Sequence, residues 1–308
     1  MEATTHTKKK TCAPIRIKEA RTAYLLLIPA ILGLVFITYL PLLAAFGISF
    51  YSWKGLGTPK FIGLANYVKL FTIDPYFTDS IKVTVLFALL AVVGSMIYSL
   101  FVALLLNRKI PARAFWRAVF YLPYMLPAIA VYIGWQWLYD TSFGLINYIL
   151  CAMGIERINF LGDPKWVLPA LAMIAVWTSG NLIVIFLAGF QNVPRVYHEA
   201  AEIDGANSWQ RFWNITMPCM TPIIFYNLLM SLITNMQVVT PALALTNGGP
   251  GNRTTFMTYL MYRYAFKSNQ IGYACAISFV FFILIAIFTG ILFATSKSWI
   301  FYEGGDEK

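Results

Sequence analysis

Between residues 191 and 218 the chain reads Q-N-V-P-R-V-Y-H-E-A-A-E-I-D-G-A-N-S-W-Q-R-F-W-N-I-T-M-P, and this stretch holds the side chains best suited to specific recognition. Val196, Ala200 and Ile203 recur at i, i+4 and i+7, one face of a helix, while Glu199, Glu202 and Asp204 supply acid on the remaining surface. Ala200 and Ala201 are small enough for another backbone to approach closely. The chemistry on offer is docking: a short acid-rimmed helix shaped for a groove in another protein. A helix lying on a bilayer would instead favour Lys and Arg on its polar face, and here three acids meet one base. Pro194 suits a first helical turn, Gly205 a left-handed stop, and Asn207 with Gln210 a capping box that opens a second short helix. Catalysis has no comparable support. His6 and His198 lie far apart, and Cys12, Cys151, Cys219 and Cys275 are scattered without paired spacing. No nucleophile–base pair is suggested, and no G-x-x-x-x-G-K-[ST] phosphate loop occurs.

A second constellation is neutral. Asn227, Ser231, Thr234 and Asn235 follow i, i+4, i+7, i+8 spacing and share one helix face. Gln237 and Thr240 continue in the same direction, and Trp177, Asn181, Trp135 and Gln136 fall in neighbouring apolar stretches. Such groups either line a polar pathway or hydrogen-bond between helices, at about 0.6–2 kcal/mol each.

The elements that must hold these residues are membrane spans. Of 308 residues, 59% are hydrophobic and only 12% charged, with mean hydropathy +0.67, against roughly 25% charged in a soluble domain. A spanning helix needs about 20 apolar residues, and six stretches qualify, at 24–50, 81–106, 114–139, 166–190, 217–240 and 271–295. None carries an ionisable residue away from its ends, so proton relays and charged-cargo sites are disfavoured. The expected fold is an all-α membrane protein: a tail at 1–23, a first span at 24–50, an outer segment at 51–80, five core spans within 81–295 interrupted by a cytoplasmic segment at 191–216, and a tail at 296–308. The segment at 241–270 contains Thr246-Asn247-Gly248-Gly249-Pro250-Gly251 and reads as an outer loop. Pro29, Pro41, Pro123, Pro127, Pro169 and Pro222 inside spans predict kinks.

The net charge of +10 does not point to nucleic acid. Fourteen of the 23 Lys and Arg fall in segments predicted to be cytoplasmic. They include Lys8, Lys9, Lys10, Arg16, Lys18 and Arg21 in the first tail, and Arg108, Lys109, Arg113 and Arg117 between the second and third spans. Both termini are therefore expected inside. The first apolar run is too long for a signal peptide and lacks a small-x-small site.

Glu199-Ala200-Ala201, Gly205 and Ile215-x-Met217-Pro218 resemble, in order and spacing, the EAA loop of ABC-importer permeases; Met217 stands where that loop has Leu. Phe61-x-Gly63-x-x-Asn66-Tyr67, Phe120-x-x-Pro123, Trp135-x-Trp137, Gly144-Leu145-Ile146-Asn147 and Thr246-Asn247-Gly248-Gly249-Pro250 resemble the MalF/UgpA-like permease subunits of binding-protein-dependent sugar importers. The resemblance implies the type I ABC-importer permease fold with six transmembrane helices and a coupling helix between the fourth and fifth. Glu199, Ala200, Ala201, Asp204, Gly205, Ile215 and Pro218 would engage a cytoplasmic ATPase. Trp177, Asn181, Asn227, Ser231, Thr234, Asn235, Gln237 and Thr240 would line the path of a sugar. Where the family usually has an aromatic–acid pair, Val239-Thr240 stand here. The implied partners are a second, homologous six-helix permease in a heterodimer, two ABC ATPase subunits that carry ATP and Mg, an extracytoplasmic solute-binding protein, and membrane lipid. This chain would bind no cofactor and no nucleic acid, would catalyse nothing itself, and would sit as a multi-pass protein in a prokaryotic cell membrane. The competing reading is a secondary transporter of a neutral solute.

Overall fold

The structure is a computed structural model that describes residues 14–301, with backbone alone for 14–18. His6, Lys8, Lys9, Lys10, Cys12 and Lys308 lie outside the described residues.

The described residues are mostly helical. Helix α1 (Pro14–Gly33) runs through a π-turn into α2 (Leu40–Ile48). A two-residue ribbon pairs β1 (Tyr51–Ser52) with β2 (Lys60–Phe61), antiparallel, with Tyr51 opposite Phe61. There follow α3 (Ala65–Thr72), α4 (Pro75–Asn107), α5 (Arg113–Met125), α6 (Ala128–Leu138), α7 (Leu145–Ala152), α8 (Val167–Trp177), α9 (Gly180–Asn192), α10 (Arg195–Ile203), α11 (Ser208–Arg211), α12 (Met217–Met236), α13 (Met257–Tyr262) and α14 (Ile271–Ser296).

Among the described residues, four continuous helical runs are long and apolar enough to cross a membrane: Glu19–Ile48, Pro75–Asn107, Ser208–Met236 and Ile271–Ser296. The expected third and fourth spans are instead broken pairs, α5–α6 bent by 98° and α8–α9 by 47°. Pro127 explains the first break. A residue before proline is pushed out of the helical region, and Leu126 sits at φ −71°, ψ 145°. At the second, Thr178 and Ser179 turn their hydroxyls back onto Ile174 O and Val176 O, at 3.0 and 2.7 Å, an alternative to helix continuation open to such side chains.

Not every proline kinks. Pro41 and Pro218 each lie just after a π-turn, Leu34–Tyr39 and Phe212–Thr216. The wider turn places each proline in the first turn of the next α-helical segment, where its absent donor costs least. The fifth apolar stretch therefore has no boundary at 217: α11, the π-turn and α12 form one helix that starts inside the expected loop.

Helix α4 is the central post. Small residues on it, including Ala91, Ser95, Ser99 and Ala103, are buried, which lets α8, α9 and α12 pack closely. The expected outer loop at 241–270 is largely internal. Thr254, Thr255, Phe256, Met257, Tyr259 and Leu260 are all buried, and Met257 N donates to Thr84 Oγ1 at 2.9 Å. Thr254 and Thr255 donate to the Gly249 and Gly248 carbonyls, and Asn247 and Gly248 take positive φ, so the glycine-rich motif is a self-bonded turn.

Two of the motif asparagines are clamps. Asn66 Nδ2 donates to Ser49 O at 2.7 Å and Tyr51 O at 3.1 Å, fastening α3 to the end of the first span. Asn147 Nδ2 donates to Asp140 O and Ile158 O, at 3.1 and 3.0 Å, while its Oδ1 accepts from Ile158 N at 2.8 Å. Stranding those buried backbone groups costs about 1–3 kcal/mol. Asn147→Ala is therefore expected to lower the thermal unfolding midpoint of the purified protein; an unchanged midpoint would contradict the clamp.

At the same end of the molecule Asp74 caps α4, its Oδ1 accepting from Tyr76 N at 2.9 Å. Its Oδ2 accepts from the Tyr264 and Tyr273 hydroxyls, both at 2.8 Å. Burial, then the Asp74 carboxylate, push the Tyr264 hydroxyl up to about 12, so it remains a donor throughout the physiological range.

Candidate functional site

Two features stand out: an exposed hairpin, and a cavity in which hydroxyl and amide groups stand among apolar side chains such as Phe87, Leu182, Met230 and Val238. The hairpin is α10 and α11 with the bend between them. Its closure follows from sequence-local bonds. Gly205 takes φ +78°, Ala206 N donates to Ala201 O at 2.9 Å and Gly205 N to Glu202 O at 3.1 Å, the paired bonds of a Schellman stop. The capping box is formed in both directions, Gln210 N to Asn207 Oδ1 at 2.9 Å and Asn207 N to Gln210 Oε1 at 2.8 Å. Arg211 pairs with Glu202 across the bend. Pro194 occupies the position just before the helix, one earlier than its expected place.

None of α10 is buried within this chain. Val196 is 69% and Ile203 88% exposed, and Glu199, Ala200, Asp204 and Gly205 are exposed with them. Ala201 is half-buried under the bend. Ile215 is half-buried in the π-turn, and Pro218 lies two residues into the helix that continues from it. An amphipathic helix whose apolar side chains face outward presents a surface for another body.

The cavity measures about 430 Å³, within the usual range for small-molecule sites. Asn181, Ser231, Thr234 and Asn235 line it together. Asn235 Nδ2 is held by Ser231, through its carbonyl at 2.8 Å and its Oγ at 3.2 Å, leaving the amide oxygen as the acceptor available to the cavity. Sequence reasoning missed several lining groups: Ser95, Tyr124, Tyr132, Thr178 and Ser179. The run Thr178-Ser179-Gly180 was the available signal for a helix break bearing hydroxyls. Both broken pairs restart here, α6 at Ala128 and α9 at Gly180. The first N–H groups of a helix lack intrahelical acceptors, so each restart offers donors. Among the described residues, no Asp, Glu, Lys, Arg or His lines the cavity.

The remaining expected pathway residues lie elsewhere. Asn227 is buried, with Nδ2 directed at Leu182 O at 3.4 Å, and serves the α9–α12 contact. Trp177 packs edge-on against Trp135 with ring centroids 5.6 Å apart. Gln237 is the last-turn residue after Met236, and Thr240 stands beyond the end of α12. The shared helix face ends because α12 does.

One rod connects the two features. The continuous helix Ser208–Met236 begins at the hairpin and carries Ser231, Thr234 and Asn235, about 35 Å away at 1.5 Å per residue. It is gripped by α9 where Gly189 admits Met220 and Ile223.

Residues 95–299 match the family described as binding-protein-dependent transport system inner membrane component. YesP of Bacillus subtilis (strain 168), a probable ABC transporter permease, is 37% identical over 94% of this chain and 95% of its own length. The trehalose/maltose transport system permease MalF of Thermococcus litoralis is 32% identical over 89% and 93%. The multiple sugar-binding transport system permease MsmF of Streptococcus mutans is 34% identical over 89% and 94%. A chain from the crystal structure of a bacterial ABC transporter that imports the acidic polysaccharide alginate superposes with TM-score 0.78 at 23% identity, covering 92% and 97%. That likeness establishes the shared fold.

Proposed function

The chain belongs to the family of inner membrane components of binding-protein-dependent transport systems, and on that footing we propose that it forms half of the translocation pathway of an ATP-driven sugar importer. The observation that carries the reading is the rod: one unbroken helix runs from an outward-facing hairpin to a cavity lined by hydroxyl, amide and apolar groups.

Each bent pair counts as one span, which makes six, with both termini on the cytoplasmic side of a prokaryotic cell membrane. Helix α10 is the coupling element. Its Val196/Ile203 face and its acids, Glu199 and Asp204, enter a cleft of a separate ATPase that holds ATP and Mg, while Gly205, Ala200 and Ala201 set its shape. Ile215 and Pro218 join it to the rod. When two ATPases close on ATP, the displacement passes along α9 and the rod to the cavity, which opens alternately to each side. A second, non-identical permease supplies the other half, and a solute-binding protein delivers cargo from outside. ATP and the loaded binding protein act by favouring different conformations from the resting one.

The cargo is neutral. Amide and hydroxyl groups can exchange hydrogen bonds with sugar hydroxyls, and the tyrosines offer faces for their apolar patches; the Thermococcus litoralis and Streptococcus mutans relatives are themselves sugar permeases by name. A carboxylate placed in a helix at membrane depth costs about 2.5–3.5 kcal/mol. Thr234→Asp is therefore expected to lower uptake of a neutral oligosaccharide about tenfold or more in reconstituted transporter, with assembly intact. Undiminished transport by that variant, or preferential transport of uronate oligosaccharides by the wild type, would overturn the neutral-sugar reading.

A further inference from the structure

Helix α7 follows the third span and carries no charged residue from Leu145 to Ala152. Its inner side is fastened by Asn147. Its outer side is apolar: Leu145, Tyr148, Ile149 and, just beyond, Met153 share one face, with Tyr148 74% and Met153 70% exposed. The stripe continues onto α6, whose Ile129, Ile133 and Trp137 are exposed at i, i+4 and i+8. Trp137 meets Phe143, at the head of α7, edge-on at 6.2 Å.

The depth of α7 follows from the break at Pro127. Helices of 13 and 11 residues meeting at 98° carry the chain forward by no more than about 27 Å including the link, against about 30 Å of hydrocarbon. The starting end is marked by Arg113 and Arg117, with Phe115 and Trp116 exposed beside them. A second observation agrees. Tyr139, at the end of α6, donates its hydroxyl to Ala170 O at 3.0 Å, one turn inside α8, so the third span ends no higher than the outer first turn of the fourth.

We infer that α7 is an interfacial float: its Leu145/Tyr148/Ile149/Met153 face lies in the headgroup–acyl boundary of the outer leaflet and fixes the height of the bent third span. Short amphipathic helices occupy that zone with the apolar face buried about 5–10 Å, and tyrosine, with an apolar ring and a polar tip, is enriched there. The usual basic polar face is not required, because the opposite side of α7 is anchored to protein through the buried Asn147. The inference rests on reading α5–α6 as a single span.

The test places a nitroxide at Tyr148→Cys or Ile149→Cys, with native cysteines replaced by serine, in the complete transporter in liposomes. Oxygen and a nickel chelate then serve as relaxation agents. Lipid contact predicts oxygen collisions exceeding nickel-chelate collisions several-fold at both sites. Nickel collisions equal to or above oxygen would place α7 in water and overturn the float. Low collisions with both would mean that protein covers it, which overturns it as well. A Lys109→Cys label, read with chelate added on one side only, tests the span itself: if it and α7 report from the same side, the single-span reading falls along with the inference.

Discussion

Gly205→Val is expected to cut ATP-driven uptake at least about tenfold while leaving membrane insertion unchanged. Gly205 holds φ +78° with open space where a side chain would go, so the substitution costs conformation and nothing else. A left-handed L-residue is disfavoured by roughly 1–2 kcal/mol, more when β-branched, and about 1.4 kcal/mol is a factor of ten. The hairpin relieves that strain by unwinding its Schellman turn, which releases α10 from its setting against Arg211 and the rod. Gly205→Asn tolerates the same backbone and should retain most uptake. Glu199→Lys tests the docking face separately, by reversing charge on an exposed position without touching the turn. Labelled-sugar uptake in cells, with membrane abundance by immunoblot and ATPase retention on co-purification, reads all three. Full uptake by both Gly205→Val and Glu199→Lys would remove the coupling role from this hairpin.

The second large effect concerns the break that faces the cavity. A methyl at Gly180 would stand 2.7 Å from Phe120 O and 3.0 Å from Tyr121 Cα, both backbone atoms that cannot swing aside. Gly180→Val should push α5 from α9 at the restart where Ser179 and Asn181 enter the cavity. Overpacking of this kind costs about 1–3 kcal/mol, occasionally more, so both the thermal midpoint in detergent and the uptake per assembled transporter should fall sharply. Gly134, in α6, has nothing within 4 Å of the same construction. There Gly→Ala should be neutral or stabilising by about 0.5–1 kcal/mol through helix propensity. Equal behaviour of Gly180→Ala and Gly134→Ala would refute the close approach of α5 and α9.

Much of the hairpin was legible because its determinants are local. A proline, a glycine and a capping pair, spaced within one or two turns, specify short helices and their stops through bonds between near neighbours, and each of those bonds forms. The polar face of α12 was legible for the same reason, as far as helical periodicity extends: Ser231, Thr234 and Asn235 do share the cavity. Its limits were not. Gln237 and Thr240 continue the pattern in sequence, but the helix stops at Met236, and whether a helix stops there depends on how 241–270 packs. Asn227 has the right periodicity, and a buried contact with α9 claims it.

What the sequence by itself determined is the solvent and the local grammar: long uncharged apolar runs demand lipid, and capping residues place the hairpin. Tertiary structure alone decided that two of the expected spans are broken helix pairs, that the helix of the fifth apolar stretch begins at Ser208, that an apparent outer loop is largely buried, and that hydroxyls from α4, α5, α6, the α8–α9 break and α12 meet around one cavity. The physical reason is range. Hydropathy and capping act over a few residues, whereas burial and cavity shape arise between segments as much as 199 positions apart, as where Tyr273 meets Asp74, and a linear pattern carries no record of such meetings.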